Sequence, residues 1–165
     1  MFLVILLAIA VFIGYGILFG APYLPTRKIW VRDGLELAGV SKCDVVADLG
    51  SGDGVVLKLA AQRGAKGVTG YEINPVLTLI SRLRLIRYRK ITKIYCCNFL
   101  QADLPADTTV VYIFGVERIM DDVLKYLKAQ KSHLQCAQLK IVSFAFDIPD
   151  LNCVVTKNGM NLYLI

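Results

Sequence analysis

Histidine is almost missing from this 165-residue chain, which has only His133. Its five cysteines, at 43, 96, 97, 136 and 153, include no C-x-x-C pair. These shortages argue against a zinc site, which needs several N or S ligands at set spacings, and an odd set of cysteines does not make a disulfide framework. No metal is expected, and the cysteines are expected to act as small buried apolar residues in a reducing compartment. Internal repeats and low-complexity tracts are missing too, and the length suits one domain rather than two.

Charge is wholly absent from Met1 to Gly20, "MFLVILLAIAVFIGYGILFG". A cleaved signal peptide would carry a basic n-region and a small-residue cleavage site, and a core helix would show a polar face. Neither is visible. As a helix, about 20 residues span roughly 30 Å, the thickness of a bilayer core, so residues 1–20 are expected to form a transmembrane anchor. Arg27, Lys28 and Arg32 follow it, which places the remainder on the cytoplasmic side, or the matrix side of an organelle. Residues 21–40 read as a linker, "APYLPT", and a lead-in helix capped by Thr26 that runs through Ala38, with Ile29, Trp30, Leu35 and Leu37 apolar.

Residues 41–165 alternate between strand-like and helix-like segments. "DVVADLG" reads as a strand and "GVVLKLAAQRG" as a helix stopped at Gly64; "GVTGYE" is a strand and "PVLTLISRLRLIRYRK" a helix opened by Pro75. "KIYCCNF" and "TVVYIFGV" are strands, Glu117 to Lys131 is a helix with Met120, Val123, Leu124 and Leu127 on one side, and "QLKIVSFAF" is a fifth strand. "NCVVT" and "MNLYLI" close the chain around a Lys157-Asn158-Gly159 turn. The alternation predicts an α/β fold with a mostly parallel sheet and an antiparallel C-terminal edge.

The net charge is +6. "SRLRLIRYRK" (81–90) has five basic residues and no acid. It is either a solvated helix face or a surface attracted to anionic lipid headgroups, to which Arg82, Arg84 and Arg87 would contribute. No basic groove interleaved with aromatics is present, so nucleic acid is not the expected partner.

The chemistry concentrates in "VVADLGSGDGVV", Val45 to Val56. It lacks the last glycine of the dinucleotide pattern G-x-G-x-x-G, having glycines at 50, 52 and 54 and Val55 at the fifth place. It also lacks the Gly-Lys-Ser/Thr of a P-loop. From Asp44 to Leu57 the chain has no lysine or arginine, and Asp48 and Asp53 flank the glycines. A phosphate between two carboxylates would cost about 4 kcal/mol per unit-charge contact at about 4 Å, for an effective dielectric of about 20. A cation would gain. S-adenosylmethionine, with a sulfonium, an ammonium and no phosphate, fits this loop. Glu72 can accept ribose hydroxyls, as acids at that place also do for other adenosine ligands. Asn98 can accept from an adenine amino group or be an ordinary turn residue; Ile73 and Phe99 can sandwich the ring, or Phe99 can be core.

With these residues in view the sequence resembles the seven-strand, Rossmann-like class I S-adenosylmethionine-dependent methyltransferases, through "DLGSGDG" and "GYEIN". It resembles more closely the small membrane-anchored protein-lysine methyltransferases, the group of the mitochondrial ATP synthase c-subunit lysine methyltransferase, through "PYLPT", "DLGSGDG", "GYEINP" and "VVYIFGV" in that order. The resemblance implies methyl transfer to a lysine of a membrane-associated protein, with Asp48, Gly50, Gly52, Gly54 and Glu72 as cofactor contacts. Asn98 departs from the more frequent Asp of those relatives, and Val55-Val56 from their usual Arg-Ile/Val. Acceptor-pocket candidates are Tyr23, Phe114, Glu117, Phe146 and Asp147, although Glu117 reads more readily as a helix N-terminal acid and Asp147 as a turn acid before Pro149. Methylation of a lipid or small molecule is the rival within the class, and a non-catalytic S-adenosylmethionine-binding membrane module the rival outside it.

Overall fold

The computed structural model describes residues 27–114 and 119–165. The expected anchor at 1–20, the lead-in Tyr23 to Thr26, and Glu117 lie outside the described residues. Among the described residues no helix is long and apolar enough to cross a membrane.

Helix α1 (Lys28–Leu37) leads into strand β1 (Val45–Leu49), helix α2 (Val55–Gln62), strand β2 (Gly67–Glu72) and helix α3 (Pro75–Arg84). Strands β3 (Thr92–Cys96) and β4 (Val110–Ile113), helix α4 (Met120–Lys131), and strands β5 (Lys140–Phe144), β6 (Val155–Lys157) and β7 (Met160–Leu164) complete the chain. One seven-stranded sheet has the order β3-β2-β1-β4-β5-β7-β6. Pairing is parallel from β3 to β5 and antiparallel where β7 meets β5 and β6. The predicted α/β class, parallel sheet and antiparallel C-terminal edge are all found. β1 lies centrally between β2 and β4, and the order reverses there, which opens a crevice beyond its carboxyl end.

Alternation along the strands supplies both layers of the core. Val46, Val68, Val110, Tyr112, Val142 and Met160 face one side and pack with Val31 and Leu35 of α1 and Leu57 and Ala60 of α2. Ala47, Leu49, Tyr71, Val111, Ile113 and Ile141 face the other and pack with Val123, Leu124 and Leu127 of α4. The predicted apolar side of α4 is therefore its buried side.

Several boundaries differ from expectation. α1 ends at Leu37 with Ala38 as its C-cap; Arg27 stands at the N-cap and makes no side-chain cap bond. Its buried face runs through Val31, Gly34 and Leu35, and Ile29, expected on that face, is exposed. α3 stops at Arg84, six residues before the predicted end at Lys90. Leu85 leaves helical geometry with its side chain buried, and a 3-10 turn (Ile86–Tyr88) brings the chain back to sheet edge β3. β5 stops at Phe144 because Ala145 takes a left-handed φ of 64°, which a strand cannot continue through. The Asn158-Gly159 turn has φ of 51° and 79°, as a tight hairpin requires.

The cysteines correct a second expectation. Cys43, Cys96 and Cys153 are exposed, and Cys97 and Cys136 are half-buried. Cys96 sits on an edge strand and the other four lie outside helices and strands; of these only Cys97 and Cys136 pack against the core, at the margin of its second layer.

Candidate active site

The glycine loop turns tightly at the end of β1. Gly50, Gly52 and Gly54 have φ of 86°, 52° and 79°, left-handed values that cost a residue with a Cβ about 1–2 kcal/mol each. This is why the glycines fall at every second place. The Gly50 and Ser51 N–H groups both donate to the Tyr71 carbonyl at 2.9 Å, tying the loop to the end of β2. The loop lies so close to β2 that a Cβ at Gly70 would stand 2.6 Å from Leu57 Cδ1 and 2.8 Å from Ser51 Oγ. A Cβ at Gly50, in contrast, would point into open space, on the side where a ligand can approach.

Asp48 stands opposite Gly70 on β2 and Tyr112 on β4. It is 2% exposed, and its Oδ2 has no hydrogen-bond partner among the described residues. Burial, with the nearby Glu72 and Asp53 charges adding to it, holds its carboxyl well above the usual carboxylate range. A buried acid with an unsatisfied oxygen is a costly arrangement unless a donor or cation completes it.

Glu72 ends β2 and is buried. One carboxylate oxygen accepts from the Gly52 N–H and the other from the Asn74 N–H, both at 2.8 Å. An anionic ligand at the Gly52 N–H would have to displace this internal carboxylate. Each oxygen retains a lone pair for a hydroxyl. Asn74, next along, caps α3 by accepting from Val76 N–H at 2.9 Å and Leu77 N–H at 3.3 Å.

Ile73 follows β2, and Asn98 and Phe99 follow β3, its neighbour in the sheet, so all three stand at the same edge of the crevice. Asn98 lies two residues beyond β3, half-buried, and its Oδ1 accepts from Leu100 N–H at 3.0 Å in a local turn. Phe99 meets Tyr126 edge-on, with centroids 5.7 Å apart, and joins the second core layer.

The loop's electrostatics differ from the sequence expectation at one point. Arg84 of α3 pairs with Asp53 at 2.5 Å, so one of the two flanking acids is neutralised by a residue far along the chain. The bias toward a cation therefore rests on Asp48, and the bar to phosphate on Glu72 at the Gly52 N–H.

Among the acceptor-pocket candidates, Phe114 follows β4 and stacks on Phe144 at the end of β5, with centroids 5.1 Å apart. Phe144 stacks on Trp30 of α1 at 4.7 Å. This three-ring stack was not legible in the sequence, because its members come from three segments far apart in the chain. Asp147 is already engaged: its Oδ1 accepts from Asn161 Nδ2 and Tyr163 OH, both at 3.0 Å, pinning the loop after β5 to β7. Phe146, half-buried in that loop, accepts from Ser143 Oγ through its carbonyl at 2.7 Å. Among the described residues no group of three His, Cys, Asp or Glu is placed to hold a metal.

The model of the ANTKMT methyltransferase domain matches residues 48–155. An ATP synthase c-subunit lysine N-methyltransferase from Xenopus laevis is 33% identical over 131 residues, which cover 78% of this chain and 55% of the relative. A protein-lysine N-methyltransferase from Saccharolobus islandicus is 33% identical over 137 residues, covering 79% of this chain and 80% of the relative. Among solved structures, an RNA methyltransferase from Salinibacter ruber in complex with S-adenosyl-L-homocysteine is similar with a TM-score of 0.73 and 29% identity, covering 86% of this chain and 92% of that one. The match thus spans little more than half the length of the Xenopus relative. With the glycine loop, the second-strand acid and most of the sheet inside the matched segment, the chain belongs to the ANTKMT methyltransferase domain family.

Proposed function

We propose that this chain is an S-adenosylmethionine-dependent methyltransferase that modifies a lysine of a membrane-associated protein. The observation that carries the cofactor reading is the buried, unpartnered Asp48 oxygen beside three left-handed glycines. The Salinibacter neighbour is described with S-adenosyl-L-homocysteine, the product of such a reaction. Lysine is favoured over RNA because relatives named for lysine methylation share 33% identity across nearly four-fifths of the chain. Residues 1–20 serve as the anchor, 21–40 as linker and lead-in helix, and 41–165 as the catalytic domain on the cytoplasmic or organelle-matrix side.

When bound, S-adenosylmethionine supplies a methyl group on a positive sulfur, open to in-line displacement by an amine. Asp48 answers the positive end of the ligand, Glu72 the ribose hydroxyls, and Ile73, Asn98 and Phe99 the adenine edge. Phe114 and Phe144 form an apolar wall beyond β4 and β5, against which an acceptor amine is desolvated and so favoured in its neutral, nucleophilic form. Positioning of the two reactants supplies most of the acceleration.

The test is methyl transfer from radiolabelled S-adenosylmethionine onto membranes lacking this protein, followed by fractionation and location of the label. Label at a protein lysine is expected; label confined to lipid or to RNA would overturn the acceptor assignment. Glu72→Gln keeps the side chain's size but leaves one of the Gly52 and Asn74 N–H groups without its acceptor, and should weaken S-adenosylmethionine binding by about 1.5–3 kcal/mol, the worth of a hydrogen bond to a charged group. Calorimetric affinity equal to that of the parent chain would remove Glu72 from the site.

A further inference from the structure

Helix α3 buries Leu77, Thr78 and Ser81 and turns its more apolar side outward. Val76, Leu79, Ile80 and Leu83 recur at helical spacing and are 51, 57, 40 and 62% exposed; Ile86 in the following turn is 61% exposed. This reverses the usual arrangement of a surface helix. Tyr95 of edge strand β3, 45% exposed, is not part of this surface, since it stacks on Tyr71 at 5.6 Å on the other face of the sheet.

The charges of this region are of one sign. From Ile73 to Ala102 there are six basic residues and no acid. Two are committed within the fold: Arg84 pairs with Asp53, and Arg82 donates to the Ile94 carbonyl at 2.9 Å. Arg87, Arg89, Lys90 and Lys93 are exposed and make no ion pair among the described residues. An open groove between the 3-10 turn and β3, lined by Arg82, Leu85, Ile86, Arg89, Thr92 and Ile94, joins the apolar and basic parts.

We propose that this face docks on an anionic lipid bilayer. The five aliphatic side chains enter the acyl boundary, and Arg87, Arg89 and Lys90 meet the headgroup phosphates. A second copy is a poorer occupant, since pairing the face with itself would set cation against cation. α3 begins shortly after Glu72, so docking holds the glycine-loop crevice near the bilayer surface. The docking rests on surface chemistry and stands independently of methyl transfer.

A single tryptophan reports on it in the full chain. Leu83→Trp in a Trp30→Phe background is mixed with vesicles of brominated phosphatidylcholine, with or without phosphatidylglycerol. Lys125→Trp in the same background, on the exposed side of α4, is the control. With phosphatidylglycerol, emission from the tryptophan introduced on α3 is expected to shift to the blue and be quenched by bromine, while that of the control is not. Neutralising Arg87, Arg89 and Lys90 to Gln should abolish the quenching, each residue weakening association about fivefold. Circular dichroism confirms that the variants fold. Three results would overturn the proposal: no quenching beyond the control, equal quenching with and without phosphatidylglycerol, or a blue shift without lipid that grows with protein concentration and marks a second copy.

Discussion

Asp48 holds the sharpest conflict between stability and chemistry in the molecule. Burial holds its carboxyl well above the usual carboxylate range. An acid whose folded value is raised is stabilising in its protonated form, so its cost appears as pH rises above the unfolded value and is complete above the folded one. Asp48→Asn should therefore melt above the parent chain at neutral pH, by roughly 1 kcal/mol of stability, and converge with it below about pH 4. The same variant should lose S-adenosylmethionine affinity, because the cation loses its counter-charge. A calorimetric melting difference that stays constant between acid and neutral pH would refute this account. The loop glycines make a second contrast. Gly50→Ala meets only open space and should cost about 1–2 kcal/mol of backbone strain. Gly54→Ala adds overlap with Ser81 and Leu85 of the α3 segment and should cost about 2–5 kcal/mol in all. Denaturant midpoints that place the two variants together would show that α3 yields freely.

At the level of elements, α3 links loop and surface. The Arg84–Asp53 pair joins it to the glycine loop, with the side chains 31% and 20% exposed. Such a half-buried pair contributes about 1 kcal/mol and weakens with salt. Arg84→Gln is thus expected to lower stability by about that amount at low ionic strength and by less at high; a penalty indifferent to salt would exclude an electrostatic role. α1 has the same function at the other end of the sheet. Its Asp33 accepts from Asn158 Nδ2 at 2.8 Å, and Asp33 and Glu36 both pair with Lys157, so the β6–β7 hairpin is held by a helix from the start of the described chain.

For the molecule as a whole, the buried residues of both core layers lie between Val31 and Tyr163. Removing residues 1–20 should therefore leave S-adenosylmethionine binding intact while abolishing integration into membranes. Removing 1–26 as well deletes Tyr23 and the lead-in, and is expected to weaken binding if that segment closes over the methionine end. Isothermal titration of the two truncated chains separates these roles: equal affinity would leave the lead-in with no part in the cofactor site.

What the sequence determined by itself was local. Periodicity and glycine placement showed the strand–helix alternation, the antiparallel end and the loop, since each depends on residues a few positions apart. The crevice around Asp48, Gly50 and Glu72 was legible for the same reason: these residues end successive strands of a parallel sheet, so order along the chain maps onto order in space. Tertiary structure decided what depended on distant partners. It neutralised Asp53 with Arg84, committed Asp147 to Asn161 and Tyr163, and stacked Trp30, Phe144 and Phe114. It also ended α3 early and turned that helix's aliphatic side outward. Charge and hydrophobicity read along a chain carry no record of which groups will meet, because contacts across a sheet are fixed only when its layers pack.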